Sequence, residues 1–168
     1  RSALDGVEAM NMMVNMMREH IPQESRIHYV ITKGGLAPNV IPDLAEVYYY
    51  VRHPKREKVQ EIFDWVVEAA EGAAIGTQTK VSYEVMHGNY SKLPNQTLQK
   101  IMHKNLQSRG GIKYSQEENE YAKKIHKTLI SPGGKIGDQE NIRPYSTSHT
   151  YGSTDVGDVS WVVPQAGL

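Results

Sequence analysis

Two polar residues are placed where they could handle a ligand: Asn39, inside the run GGLAPNVIPD (residues 34–43), and Arg52, which closes the alternating run that follows it. A glycine pair and two prolines make a stiff connection from which an Asn amide can be presented. An arginine guanidinium is a planar fork that takes a carboxylate through two parallel hydrogen bonds. The same residues equally suit an ordinary hairpin connection with a solvated arginine, and spacing alone does not choose. Metal chemistry has less support: the seven histidines include no i, i+4 pair and no His-x-Asp pair. His28, on a strand-like run just before the glycines, is left without a role. Asp155 and Asp158 are a candidate two-carboxylate acid/base pair.

The elements that must position these groups follow from periodicity. Ser2 and Asp5 have capping-box spacing, and Leu4, Val7, Met10, Val14 and Met17 form one apolar stripe that ends before Pro22. Met12, Met13 and Met16 lie beside that stripe and are expected in the core. Ile27–Thr32 and Leu44–Arg52 read as strands flanking the quoted loop. Pro54 then opens a helix at its first position, with Val59, Ile62, Phe63, Val66, Ala69, Ala70 and Ala73 facing inward up to Gly76. Thr79, Val81, Tyr83 and Val85 alternate with polar neighbours and predict a further strand over 79–86. The order αββαβ is a split βαβ, or ferredoxin-like, unit without its leading strand, which gives an α+β class.

The texture changes after Gly88, and a domain boundary is placed near residue 90. Beyond it, one helix runs through Leu98, Ile101, Met102 and Leu106 to Gly110-Gly111. A second, capped by Ser115 and Glu118, carries Tyr121, Ala122, Ile125 and Leu129. Residues 131–153 form a long irregular stretch, and GSTDVGDVSWVV reads as a turn leading into a buried segment.

Composition removes several classes of function. Lys+Arg and Asp+Glu are both 19, so there is no field of one sign to hold a polyanion, and neither nucleic acid nor an anionic membrane is an expected partner. The absence of cysteine excludes disulfides and thiolate metal sites, and no apolar run approaches a membrane span. A cytoplasmic protein is expected, and the sequons at Asn89 and Asn95 are discounted. The start at Arg1, passing almost at once into a helix, reads as a cut from a longer chain.

GGLAPNVIPDLAEVYYYVR, supported by RSALDGVEAMNMMV, RIHYVITKGG and GSTDVGDVSWVVP, resembles the lid-domain signature and flanking segments of metallopeptidase family M20, in its amidohydrolase branch. The resemblance spans nearly the whole chain. It implies a lid and dimerisation domain over residues 1–90 and a partial catalytic domain over 91–168. It further implies a metal-dependent amidohydrolase that cleaves an amide bond to an amino acid, aminobenzoyl-glutamate being one such substrate. The substrate-binding residues implied are Asn39 and Arg52, with Arg52 anchoring the carboxylate of an acyl-amino acid. The divalent metal, zinc or manganese, its ligands, the catalytic residues and the general base are expected outside residues 1–168, so this chain by itself is expected to be inactive. A homodimer through the lid is expected. The competing reading is a non-catalytic ferredoxin-like binding or assembly module.

Overall fold

The computed structural model describes residues 1–148, 152 and 154–167. They divide into two compact units, Arg1–Ser91 and Lys92–Leu168.

The first unit holds helix α1 (Ala3–Met17), strands β1 (Arg26–Lys33) and β2 (Glu46–Arg52), and helix α2 (Arg56–Thr77). Ser2 caps α1 by accepting the Asp5 N–H on its hydroxyl at 3.3 Å, and the Ala3 N–H is taken by the Pro42 carbonyl at 2.9 Å. The second bond ties the β1–β2 connection to the start of the helix. At the other end, Arg18 Nη1 donates to the Ile27 carbonyl at 2.6 Å and fixes where β1 begins relative to α1.

α1 and α2 cover one face of the antiparallel β1–β2 ladder. Val14, Met17, Ile27, Ile62, Val66 and Ala69 form the core, with Tyr49 and Val51 packed against it. The alternation in β2 therefore does what the sequence predicts: Val47, Tyr49 and Val51 look toward the helices. Tyr49 also brings a hydroxyl into this layer, where it donates to Asn11 Oδ1. Asn11 is only 6 % exposed, so the pair answers a polar group that burial would otherwise penalise. Burial, with a smaller push from Tyr29, raises the Tyr49 pKa well above the ordinary phenol value, partly offset by Arg18. Tyr49→Phe is expected to lower stability by about 1–3 kcal/mol, because it leaves the Asn11 acceptor without that donor. Tyr48→Phe, on the outer face, is expected to change stability by less than about 0.5 kcal/mol. Urea denaturation of the two variants side by side checks this.

The expected strand over 79–86 does not form. Among the described residues the only sheet is the β1–β2 pair, and 79–86 has no ladder partner. In the split βαβ plan the last strand pairs with the first, and the described residues hold no strand but β1 and β2. The segment keeps side-chain contacts: Tyr83 stacks edge-on against Phe63 of α2 at 6.0 Å, and Thr79 N–H bonds the Ala74 carbonyl at 3.0 Å. Periodicity can supply a face but not a hydrogen-bonding neighbour.

Three smaller corrections concern helices. Pro54 precedes the N-cap Lys55, so it sits outside α2 rather than at its first position. The helix also passes Gly76 and ends on Gln78, in the left-handed region at φ 58°, whose N–H closes onto Ala74 and Ile75. Met12 and Met16 are 63 % exposed and Met13 is 39 % exposed, so these three are surface residues, whereas Met17 of the stripe is buried.

In the second unit, α3 (Gln96–Arg109) and α4 (Gln116–His126) are each set by a polar cap, and a short helix α5 (Val156–Ser160) lies near the end. Asn95 accepts the Leu98 N–H at 3.0 Å, so this sequon asparagine is a helix cap. Ser115 and Glu118 make both halves of the capping box, at 3.2 and 2.7 Å. Gly111 is required by close approach: a Cβ there would lie 2.2 Å from the Glu140 carbonyl oxygen. The final segment is not uniformly buried. Gly157 and Ser160 are buried, but Val162 is 83 % exposed, and Ser153 lies outside the described residues. No described helix is long and apolar enough to cross a membrane.

Candidate substrate-binding face

The register of the hairpin builds the candidate site. Ile27 faces Val51 and Tyr29 faces Tyr49 on the helix-covered side. The alternate positions therefore share the opposite side: Arg26 across from Arg52, His28 across from Tyr50, and Val30 across from Tyr48. Neither helix covers this side, and Tyr50 is 49 % and Val30 55 % exposed. Tyr48 and Tyr50 meet edge-on at 5.1 Å, and a hydrogen bond with Tyr50 raises the Tyr48 hydroxyl above its ordinary pKa. The His87 ring stands edge-on to Tyr50 at 6.4 Å.

The two ends of the ladder differ in charge. Lys33 and Glu46 close the end next to the connection with an ion pair of 3.1 Å, and Thr32 Oγ1 donates to Glu46 Oε1 at 2.5 Å. Those bonds, the Thr32 one foremost, hold the Glu46 carboxyl below the usual carboxylate range. At the far end two arginines stand across from each other. Arg26 is fixed there by Nη1, which donates to the Gln23 carbonyl at 2.8 Å and the Ser25 carbonyl at 2.6 Å.

Asn39 is held at the opposite end from Arg52. The connection leaves β1 after Lys33 and rejoins at Glu46, and the Val40 N–H closes onto the Ala37 carbonyl at 3.1 Å. That makes Pro38 and Asn39 the central residues of a turn, with Pro supplying its fixed φ. Gly35 takes φ 121°, a value an L side chain rarely adopts, and lies against the Pro42 ring. The exposed Asn39 is thus on a stiff, anchored loop, as its neighbours predict. Six residue steps of about 3.3 Å put the strand ends that lead to Asn39 and Arg52 about 20 Å apart.

His28 joins the outer face beside Tyr50, which the sequence did not indicate. Asp155 and Asp158 sit at the start of α5 in the second unit, Asp155 exposed and Asp158 half-buried. Among the described residues no group of three or more His, Asp or Glu side chains is arranged to hold a metal ion. Arg26 escaped the sequence reading altogether. Its only signal was the register, obtained by pairing residues outward from the connection.

Three comparisons with known proteins bear on the chain. Residues 2–78 match the peptidase dimerisation domain of family M20. Along 99 % of its length the chain is 38 % identical to a p-aminobenzoyl-glutamate hydrolase subunit of Escherichia coli strain K12, spanning 40 % of that protein. It is 27 % identical to the Xaa-Arg dipeptidases of Mus musculus, across 97 % of the chain and 32 % of the relative, and of Homo sapiens, across 97 % and 31 %. The chain thus spans well under half the length of the relatives it matches. The hairpin packed on two helices and the GGLAPNVIPD connection both lie inside the matched region, and on these grounds the chain belongs, through residues 2–78, to the M20 peptidase dimerisation family.

Proposed function

We propose that this chain supplies the lid of a metal-dependent amidohydrolase that cleaves the amide bond to an amino acid, with aminobenzoyl-glutamate as the substrate. Residues 1–90 act as the lid and pairing domain, and residues 91–168 contribute to the catalytic domain. Arg52 binds the free carboxylate of the acyl-amino acid, and Asn39 contacts the substrate from its stiff turn. The observation that carries this reading is the extent of the likeness: it runs through both units, over 99 % of the chain, to a hydrolase of aminobenzoyl-glutamate. The position of Arg52 at the end of β2, on the side of the ladder that neither helix covers, supports the role given to it.

The described residues do not fit a divalent metal, so no bond-breaking step is assigned to them. What they can do is bind and orient. A guanidinium at Arg52 fixes the carboxylate end of the substrate, which aligns the scissile amide relative to whatever attacks it. The match to a dimerisation domain supports a homodimer, and with Asn39 and Arg52 at opposite ends of the hairpin, in this reading the two contacts to one small substrate come from two copies.

The test is hydrolysis. A full-length protein carrying this chain, supplied with zinc or manganese, is expected to release p-aminobenzoate and glutamate from aminobenzoyl-glutamate. A folded, metal-loaded protein that cleaves no N-acyl amino acid would overturn the assignment.

A further inference from the structure

Five of the seven methionines, Met10, Met12, Met13, Met16 and Met17, fall within residues 10–17 of α1. Core packing accounts for Met17, which is buried, but not for Met13 and Met16, which are 39 % and 63 % exposed. Met13, Met16, Met17 and His20 recur at i, i+3, i+4 and i+7, the spacing of one helix face. The helix stops at Met17, but the His20 N–H closes onto the Met17 carbonyl at 2.9 Å, and this added turn keeps the imidazole in line with the methionines. All four line one open groove, whose other wall is Trp65, Glu68 and Ala69 of α2. Met13 is seated there by close approach to the α2 backbone: a Cβ at Gly72 would meet its methyl carbon at 3.2 Å.

We propose that Met13, Met16 and His20 form a site for a soft monovalent cation of the copper(I) class. Thioether sulfur is polarisable and a poor donor to hard divalent ions, and both thioether and imidazole suit copper. Two thioethers and one imidazole, converging on one groove from a single helix face, make a neutral donor set of that kind. Trp65 brings to the groove the aromatic side chain whose ring quadrupole attracts a cation most strongly. Glu68 supplies the one negative charge in the lining, which offsets a single positive charge. The chain has no cysteine, so no thiolate elsewhere in it competes for such an ion. A docked apolar segment is a poorer match, because the imidazole and the carboxylate in the lining would lose their water against it.

The experiment uses silver(I), the air-stable stand-in for copper(I), added as its nitrate to the 168-residue chain in chloride-free buffer and followed by calorimetry. The unaltered chain is expected to take up one ion at a saturable site. The double variant Met13→Leu, Met16→Leu keeps the apolar volume, and with it the fold, and is expected to weaken binding by at least about tenfold. His20→Ala, at an exposed position in the turn, is expected to weaken it by about tenfold as well. Met12 is as exposed as Met16 but does not line the groove, so Met12→Leu is expected to change the affinity by less than about twofold. Trp65 and Trp161 are the two tryptophans, and with Trp161→Phe as background the emission of Trp65 is expected to fall in step with silver uptake. Binding that survives the double variant or His20→Ala, that falls equally with Met12→Leu, or that leaves Trp65 emission unchanged would overturn the site. So would an unaltered chain that takes up no silver; association of chains through this groove in its place would make it an apolar docking surface.

Discussion

Arg52→Ala in the full-length enzyme is expected to lower kcat/KM toward an N-acyl amino acid by roughly 30-fold to 1,000-fold. The residue closes β2 on the face no helix covers, and in the proposed role its guanidinium makes a charge-assisted contact with the substrate carboxylate. On that reading, removing it leaves the carboxylate without its partner, at a cost of about 2–4 kcal/mol, where about 1.4 kcal/mol is a factor of ten. The control is a substrate whose carboxylate is replaced by a neutral amide. The unaltered enzyme should handle it poorly, and the variant should lose little more on the same change, since the group that distinguished the two is gone. Arg52 is half-buried, so melting temperatures must accompany the kinetics. Equal impairment of both substrates, or a lid that melts early, would make Arg52 a structural residue and the loop an ordinary hairpin connection.

The helices were legible because their ends are fixed by local chemistry. Ser2, with a side chain bonded to the backbone three residues on, and Ser115, with both halves of its box, mark starts that a short window contains. Val14, Met17, Ile62, Val66 and Ala69 follow from the helical period, and Ile27 with Val51 from the strand period. What was not legible depends on partners far away in sequence. The run from Thr79 to Met86 has the alternation of a strand, but a strand is defined by its neighbour, and no residue among those described supplies one. Met12, Met13 and Met16 are as apolar as Met17, yet only the register of α1 against α2 decides which of them meets the core. Gly111 read as a helix stop, and its second duty, leaving room for the Glu140 backbone, needs a contact across about thirty residues. The site divides the same way: Asn39 and Arg52 were visible as unusual residues in a strand–loop–strand pattern, whereas Arg26 and His28 became part of the outer face only once the pairing was known.

Mixing two crippled variants is expected to restore activity that neither has alone. Asn39→Ala and Arg52→Ala should each be poor enzymes as homodimers, since every site in either preparation lacks one of its two contacts. The loop carrying Asn39 rejoins at Glu46 and the guanidinium is on the last residue of β2, so a single hairpin keeps them at opposite ends of a ladder about 20 Å long. In the proposed reading, one small ligand does not take both contacts from a single chain. In a two-fold dimer, however, Asn39 of one copy can approach Arg52 of the other, and the match of residues 2–78 to a dimerisation domain supports such pairing. When the variants are co-expressed and pair at random, about half the dimers are mixed. Each mixed dimer then holds one site missing both groups and one site with both intact. The preparation should show about a quarter of the unaltered activity, and mixed dimers isolated by two different affinity tags should show about half. If each chain instead built its own site, every site in a mixed dimer would carry one defect and no activity would return. Tagged, verified mixed dimers without recovery would therefore remove Asn39 from the partner's site, and with it the account of how two residues so far apart serve one substrate.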